Sequence, residues 1–170
     1  MVLVMMGVSG SGKTTLGMRV AKTLAWEFAD GDNFHSAANI EKMAHGIALT
    51  DEDRAPWLAA LQRLIEEWLA AGKGGVLACS ALKAGYRDEL KVNSQVVFIY
   101  LKASPELLRK RLRARSGHYM KAGMLESQLE TLEEPKDAIV VDVSGPIEQT
   151  VRTILQAIGK SESAPSSETA

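Results

Sequence analysis

The chain has 170 residues, 46% of them hydrophobic and 24% charged, with a net charge of -1. That length suits one domain with a sizeable core and is short for two. The near-neutral balance offers no global attraction to nucleic acid or to an anionic membrane, no apolar stretch reaches the length of a membrane span, and the single Cys79 excludes an internal disulfide framework and suits a reducing cytoplasm.

In chain order, Val2 to Met6 is an apolar run that reads as a buried strand, and Thr14 to Leu24 carries Leu16, Val20 and Leu24 at helical spacing. Between them stands Gly7-Val8-Ser9-Gly10-Ser11-Gly12-Lys13-Thr14, which meets G-x-x-x-x-G-K-[ST] at every fixed position. Such a loop turns its backbone N–H groups inward around phosphates at a helix N-terminus, with Lys13 reaching the β- and γ-phosphates and the Thr14 hydroxyl ligating Mg²⁺. Gly7, Ser9, Gly10, Ser11, Gly12, Lys13, Thr14 and Thr15 are therefore the expected nucleotide-binding residues. No N-K-x-D segment of the kind that selects guanine is present, so ATP is the expected nucleotide.

Trp26 to Ala29 reads as a second strand running into Asp30-Gly31-Asp32. Residues 36–72 hold two helical segments, the second opened by Thr50 with Asp53 three positions on, striped by Trp57, Leu61, Leu64, Ile65 and Trp68, and closed by Gly72. Gly75 to Cys79 is the third strand, Lys83 to Leu90 a helix and Val96 to Leu101 the fourth strand. Ser104 caps a helix with Pro105 at its first position. A further helix spans about Leu125 to Leu132, Ala138 to Asp142 is the fifth strand, and Pro146 to Ile158 a closing amphipathic helix. Residues 161–170 lack apolar partners and read as a disordered tail. Alternating strands and helices imply an α/β fold, a parallel sheet of five strands covered on both faces, in a single domain over residues 1–160.

Phosphoryl transfer needs positioning, neutralisation of charge on the γ-phosphate and a group to deprotonate the acceptor hydroxyl. Asp30 and Asp32 stand two residues apart, which on an extended backbone places both on one side. One can hold Mg²⁺ through water while the other serves as base, and Asp32 is our choice of base. The basic run Arg109 to Arg115 reads either as a solvated helix face or, with Gly117 as a hinge, as part of a lid over residues 113–124 closing on the triphosphate. Arg111 and Arg113 are its nucleotide-side candidates and Arg115 its catalytic candidate. By composition alone Arg54, set among Asp51, Glu52 and Asp53, reads as a surface ion-pair partner. Cys79 reads as a core residue, and the three histidines lack metal-ligand spacing.

Several stretches together resemble the gluconokinases, the shikimate-kinase-like branch of the nucleoside-monophosphate-kinase fold. They are Asp30-Gly31-Asp32-x-x-His35, Asn39-x-x-Lys42-Met43, Leu49-Thr50-Asp51-x-Asp53-Arg54-x-Pro56-Trp57-Leu58, Cys79-Ser80-Ala81-Leu82-Lys83-x-x-Tyr86-Arg87-Asp88, Gly117-His118-Tyr119 and Leu132-Glu133-Glu134-Pro135. The chain departs from the pattern at Ala48, where proline is common, and at Leu129, where an aromatic is frequent.

The resemblance implies a three-layer P-loop kinase fold and phosphorylation of D-gluconate at its 6-hydroxyl by ATP with Mg²⁺. It implies that Arg54 grips the acid's carboxylate, that Asp32 faces the acceptor hydroxyl, and that His35, Lys83, Arg87 and His118 lie on the substrate side. It also suggests a homodimer. A kinase for a related sugar acid or a shikimate-like hydroxy acid, and a non-catalytic ATP-binding module, are the alternatives.

Overall fold

A computed structural model describes residues 1–114 and 120–160, with side chains left out at 120–123. Five parallel strands, β1 (Val2–Met6), β2 (Glu27–Asp30), β3 (Gly75–Ala78), β4 (Val96–Lys102) and β5 (Ile139–Asp142), lie in the order β2-β3-β1-β4-β5. The helices are α1 (Lys13–Leu24), α2 (Ala37–Ala44), α3 (Asp51–Ala70), α4 (Ala84–Leu90), α5 (Pro105–Ala114), α6 (Met120–Thr131) and α7 (Ile147–Ala157).

The period-two alternation of β1 divides the core. Val2, Val4 and Met6 face one side, where Trp57, Leu61 and Ile65 of α3 and Tyr86 and Leu90 of α4 pack on them. Leu3 and Met5 face the other, against Leu16 and Val20 of α1 and Val151, Ile154 and Leu155 of α7. Because β1 is buried on both faces, its sequence is apolar throughout rather than alternating. A third cluster, Val8, Leu82, Leu108, Leu112 and Leu125, seats α5 and α6 against the loop after β1.

Local signals placed most helix ends. Thr50 and Asp53 form a complete capping box, each side chain bonding the other's backbone N–H at 3.1 and 3.0 Å. Ser104 accepts from Leu107 N at 3.2 Å at the start of α5. Two expectations shift. The helix placed at Leu125 begins at Met120, and Leu64 is only partly buried while Leu58 joins the buried stripe of α3.

The order of strands brings the site together. Met5 and Asp30 both stand level with Ala78, so the loops leaving β1, β2 and β3 emerge side by side at one edge of the sheet. In open α/β sheets this carboxyl edge, where neighbouring connections diverge, is where ligands bind.

Candidate active site

The loop Gly7–Thr14 links β1 to α1 with Gly10 at φ 85° and Gly12 at φ 95°. Those left-handed conformations are open to glycine at no steric cost, and they turn successive N–H groups to one side. Gly12 is the N-cap of α1 without a side-chain cap, which leaves the helix's first N–H groups for an anion. Lys13 Nζ donates to the carbonyls of Gly7 at 3.0 Å and Val8 at 3.2 Å, holding its ammonium along the rim of the loop. Ser11 is fully buried, and its hydroxyl has no hydrogen-bond partner among the described residues. It lies 3.0 Å from where a side chain on Gly7 would begin, so it fills the loop's interior. Thr15 is exposed in the first turn of α1.

Asp30 closes β2 beside this loop. Its Oδ2 accepts from Thr14 Oγ1 at 2.7 Å, and its Oδ1 accepts from the Asp32 backbone N–H at 3.1 Å. The second bond makes Asp30 the N-cap of a 3₁₀ turn, Gly31–Phe34. The chain is therefore not extended through Asp32, and the alternation that placed both carboxylates on one side does not apply. Asp32 is instead carried one residue into the turn, exposed, with its charge acting on His35. A hydroxyl and a carboxylate joined in this way are hard oxygen donors of the kind Mg²⁺ takes, with waters and phosphate oxygens supplying the rest. Among the described residues no group of three or more His, Cys, Asp or Glu side chains forms a closed metal site.

Opposite the loop stands a cluster built from α3 and α4. Arg54, partly buried, donates from Nη1 to Leu49 O at 2.7 Å and to the Tyr86 hydroxyl at 3.4 Å, with Asp51 at 4.0 Å. Lys83 Nζ bonds both Asp51 carboxylate oxygens, at 2.8 and 2.9 Å, and Tyr86 donates its hydroxyl to the same carboxylate. The hydrogen bond from Lys83, followed by that from Tyr86, holds the Asp51 carboxyl below the usual carboxylate range. Burial first, then the Asp51 contact, pushes the Tyr86 phenol up, so it stays protonated and keeps donating. Two cations facing one carboxylate leave a single net positive charge. The tyrosine and the aspartate of this cluster belong to the family-like stretches of the sequence, but nothing in the sequence assigned them a role at the site.

His35 stacks on Trp57 with ring centroids 4.6 Å apart and planes 8° from parallel. Trp57 in turn donates its indole N–H to Gly31 O at 2.7 Å, so a core tryptophan of α3 also anchors the 3₁₀ turn. Burial lowers the His35 pKa, Asp32 opposes that and Arg54 adds to it, which leaves the imidazole neutral near pH 7. Its Nδ1 is buried and without a partner among the described residues.

Arg87 is buried and spends its guanidinium on Ala81 O at 3.0 Å and Leu82 O at 3.1 Å. Those carbonyls are Ala81's own and the next one along, and Ala81 has a φ of 44° that is strained for a residue with a side chain. Arg87 therefore shapes the turn that delivers Lys83. The same turn meets the phosphate loop, since Gly7 N donates to Ser80 O at 3.3 Å. Burial raises the Cys79 thiol to about 12, which makes it an inert core group. Asn39 and Lys42, part of the family-like pattern, fasten α2 to α3. Asn39 Nδ2 donates to Asp53 O at 2.7 Å, and Lys42 bonds the Asp53 carboxylate at 2.7 and 2.9 Å.

Of the basic run, Arg109 is committed to Glu126 of α6 by two bonds, at 2.8 and 3.2 Å. Arg111 donates to Val143 O and, at 3.5 Å, to Gly10 O, which places it against the outer side of the phosphate loop. Arg113 is exposed in the last turn of α5. Arg115 and His118 lie outside the described residues, as do residues 115–119 of the expected lid segment and the tail at 161–170.

With the geometry in place, comparison with known proteins agrees with it. Residues 2–135 match a family described as an AAA domain. The chain is 49% identical over 145 residues to a gluconokinase of Gluconobacter oxydans, covering 84% of this chain and 82% of that one. It is 44% identical over 164 residues to the thermoresistant gluconokinase of Escherichia coli, covering 94% of each. A solved gluconokinase from Sinorhizobium meliloti superposes with a TM-score of 0.83 at 42% identity, over 93% of this chain and 91% of that one. Shared sequence over most of both chains, together with a shared fold, establishes that this chain belongs to the gluconokinase family.

Proposed function

We propose that the protein transfers the γ-phosphoryl group of ATP to the 6-hydroxyl of D-gluconate, giving 6-phospho-D-gluconate and ADP. The observation that carries this reading is the meeting, at one sheet edge, of a phosphate loop with a cationic cluster built around a single carboxylate. The loop and the Thr14–Asp30 pair supply the donor half, and Arg54 and Lys83 around Asp51 supply the acceptor half. The cluster's single net positive charge matches a substrate carrying one carboxylate, and the identities to gluconokinases support the choice of acid.

In this mechanism Lys13 neutralises charge that builds on the β- and γ-phosphate oxygens as the bond to the β–γ bridging oxygen breaks. Asp32, exposed beside the phosphate loop, takes the proton from the attacking hydroxyl. Thr14 and Asp30 would hold Mg²⁺, and the chemistry that ion would supply is neutralisation of phosphate charge. His35 enters as a neutral imidazole on the acceptor side, its ring held in place by stacking on Trp57. Arg87 acts through the Ala81 turn, setting Lys83 rather than touching the acid itself. Arg113 supplies a cation from the end of α5 toward the triphosphate. A homodimer in a cytoplasmic setting follows from the family resemblance, and light scattering tests the first.

A coupled assay for ADP release, run across gluconate, other sugar acids, shikimate and nucleoside monophosphates, decides the acceptor. Turnover with gluconate above all others is expected. Phosphorylation of another acceptor with none of gluconate overturns the assignment, and nucleotide binding without any transfer would favour a regulatory module.

A further inference from the structure

The Val8–Ser9 peptide unit of the phosphate loop is held at both ends by parts of the chain far apart in sequence. Its carbonyl accepts from Lys13 Nζ at 3.2 Å, and its N–H donates to Gln128 Oε1 at 2.6 Å across 119 residues. In a trans peptide these two groups point in opposite directions, and the described chain has no cis bonds. Gln128 thus sits on the far side of the peptide from the lysine. Rotation of that peptide would break both bonds together.

Gln128 is well placed for this task because α6 is fixed on several sides. Leu125 is fully buried against Val8, Leu108 and Leu112, and Leu129 and Leu132 pack on the same cluster. The spacing 125, 129, 132 turns one face of the helix to the loop and leaves Gln128 at its edge. Arg109 grips Glu126 from α5, while Glu133, just past the helix, donates its N–H to Leu82 O at 2.9 Å and accepts from Ala84 N at 2.6 Å. A main-chain N–H needs an acceptor, so the amide oxygen faces Ser9 in any arrangement that keeps this bond.

We infer that Gln128 is a positioning residue for the phosphate-binding lysine: by orienting the Val8–Ser9 peptide it turns the Val8 carbonyl toward Lys13 and sets where the ammonium meets the phosphates. The inference rests on the kinase reading of the loop and is independent of which acid is the acceptor. It is therefore tested on nucleotide binding alone.

The experiment is calorimetric titration of Mg·ATP into the wild type, Gln128→Ala, Lys13→Ala and the double variant, with Gln128→Glu as the variant that keeps an acceptor oxygen. Gln128→Ala is expected to weaken ATP binding about 10-fold when Lys13 is present and less than about twofold when it is absent, the non-additivity of a pair acting as one unit. Gln128→Glu is expected to stay within about threefold of wild type, because the bond to Ser9 survives and the added charge lies across the peptide from the lysine. A purely structural role for Gln128 predicts equal losses in both lysine backgrounds. That result, an unchanged affinity in Gln128→Ala, or a Gln128→Glu protein as weak as Gln128→Ala, would overturn the proposal. If Gln128→Ala fails to fold, Gln128→Met, which keeps the side chain's length and removes the acceptor oxygen, takes its place with the same expected and overturning results.

Discussion

The Thr14 hydroxyl donates to the Asp30 carboxylate at 2.7 Å, joining the start of α1 to the end of β2. The two oxygens stand together, which is the arrangement the proposed Mg²⁺ site calls for. Replacing Asp30 by Asn keeps the shape and an acceptor but removes the charge. A Mg²⁺ titration of activity should then show half-saturation moved up by about 10–100-fold, the usual cost of disturbing a metal site's supporting ligands. An unchanged Mg²⁺ requirement would remove Asp30 from the metal site.

Arg54 offers a second test, because its guanidinium is half-occupied by Leu49 O and Tyr86 and half-open beside Asp51. Arg54→Ala should raise the KM for gluconate by about 10–100-fold, as loss of a charged hydrogen bond of roughly 1.5–3 kcal/mol requires, with the KM for ATP little changed. Arg54→Lys should recover only part of that loss, since a point charge does not reproduce the planar fork. Steady-state kinetics with each substrate varied in turn separates the two effects.

His35 gives the protein a pH dependence of known sign. Burial against Trp57 lowers its pKa from 6.5, so on acidification the unfolded chain takes up the proton before the folded one does. Stability contributed by the neutral imidazole is thus complete above pH 6.5 and declines as pH falls below it toward the folded-state value. Melting temperatures measured between about pH 5 and 8 should show a decline on the acid side that is shallower in His35→Gln. Parallel curves for the two proteins would contradict the assignment.

The capping box at the start of α3 is a purely local device, and its removal should act on stability rather than chemistry. Thr50→Ala leaves Asp53 N without its acceptor and should cost ~1 kcal/mol. In a domain of this size that lowers the melting temperature by roughly 2–4 °C. Gluconate kinetics at 25 °C should hold within about twofold, a change too small to register an altered site.

What could be read from the chain follows from how far each signal reaches. The phosphate loop needs eight adjacent residues, and its glycines, lysine and threonine carry their chemistry in their order. The cap at Thr50 and the cap-and-proline start at Ser104 are equally local, as is the apolar β1, whose two buried faces leave no polar position. The Asp30 and Asp32 pair shows the limit of such rules. A two-residue spacing puts side chains on one side only while the backbone stays extended, and here the Asp30 side chain itself bends it into a 3₁₀ turn.

Arg54 shows a different limit, because nearby acids on paper made it a surface partner while the fold stands it against Tyr86, 32 residues on, and half-buries it. Family resemblance pointed to the arginine, and the fold alone supplied its surroundings. Asp51 and Tyr86 stood inside the family-like stretches with nothing to say that they pair, and Gln128 lay outside those stretches; each gains its meaning from a partner that only chain packing brings near. The sequence by itself determined the nucleotide-binding loop, the α/β layering and the caps, because these depend on dihedral preference and periodicity over a few residues. Which side chains gather around Asp51, and what bonds the Ser9 N–H on the side of the loop away from Lys13, were decided by the tertiary structure, because hydrogen bonds between residues 32 to 119 positions apart leave no trace in spacing.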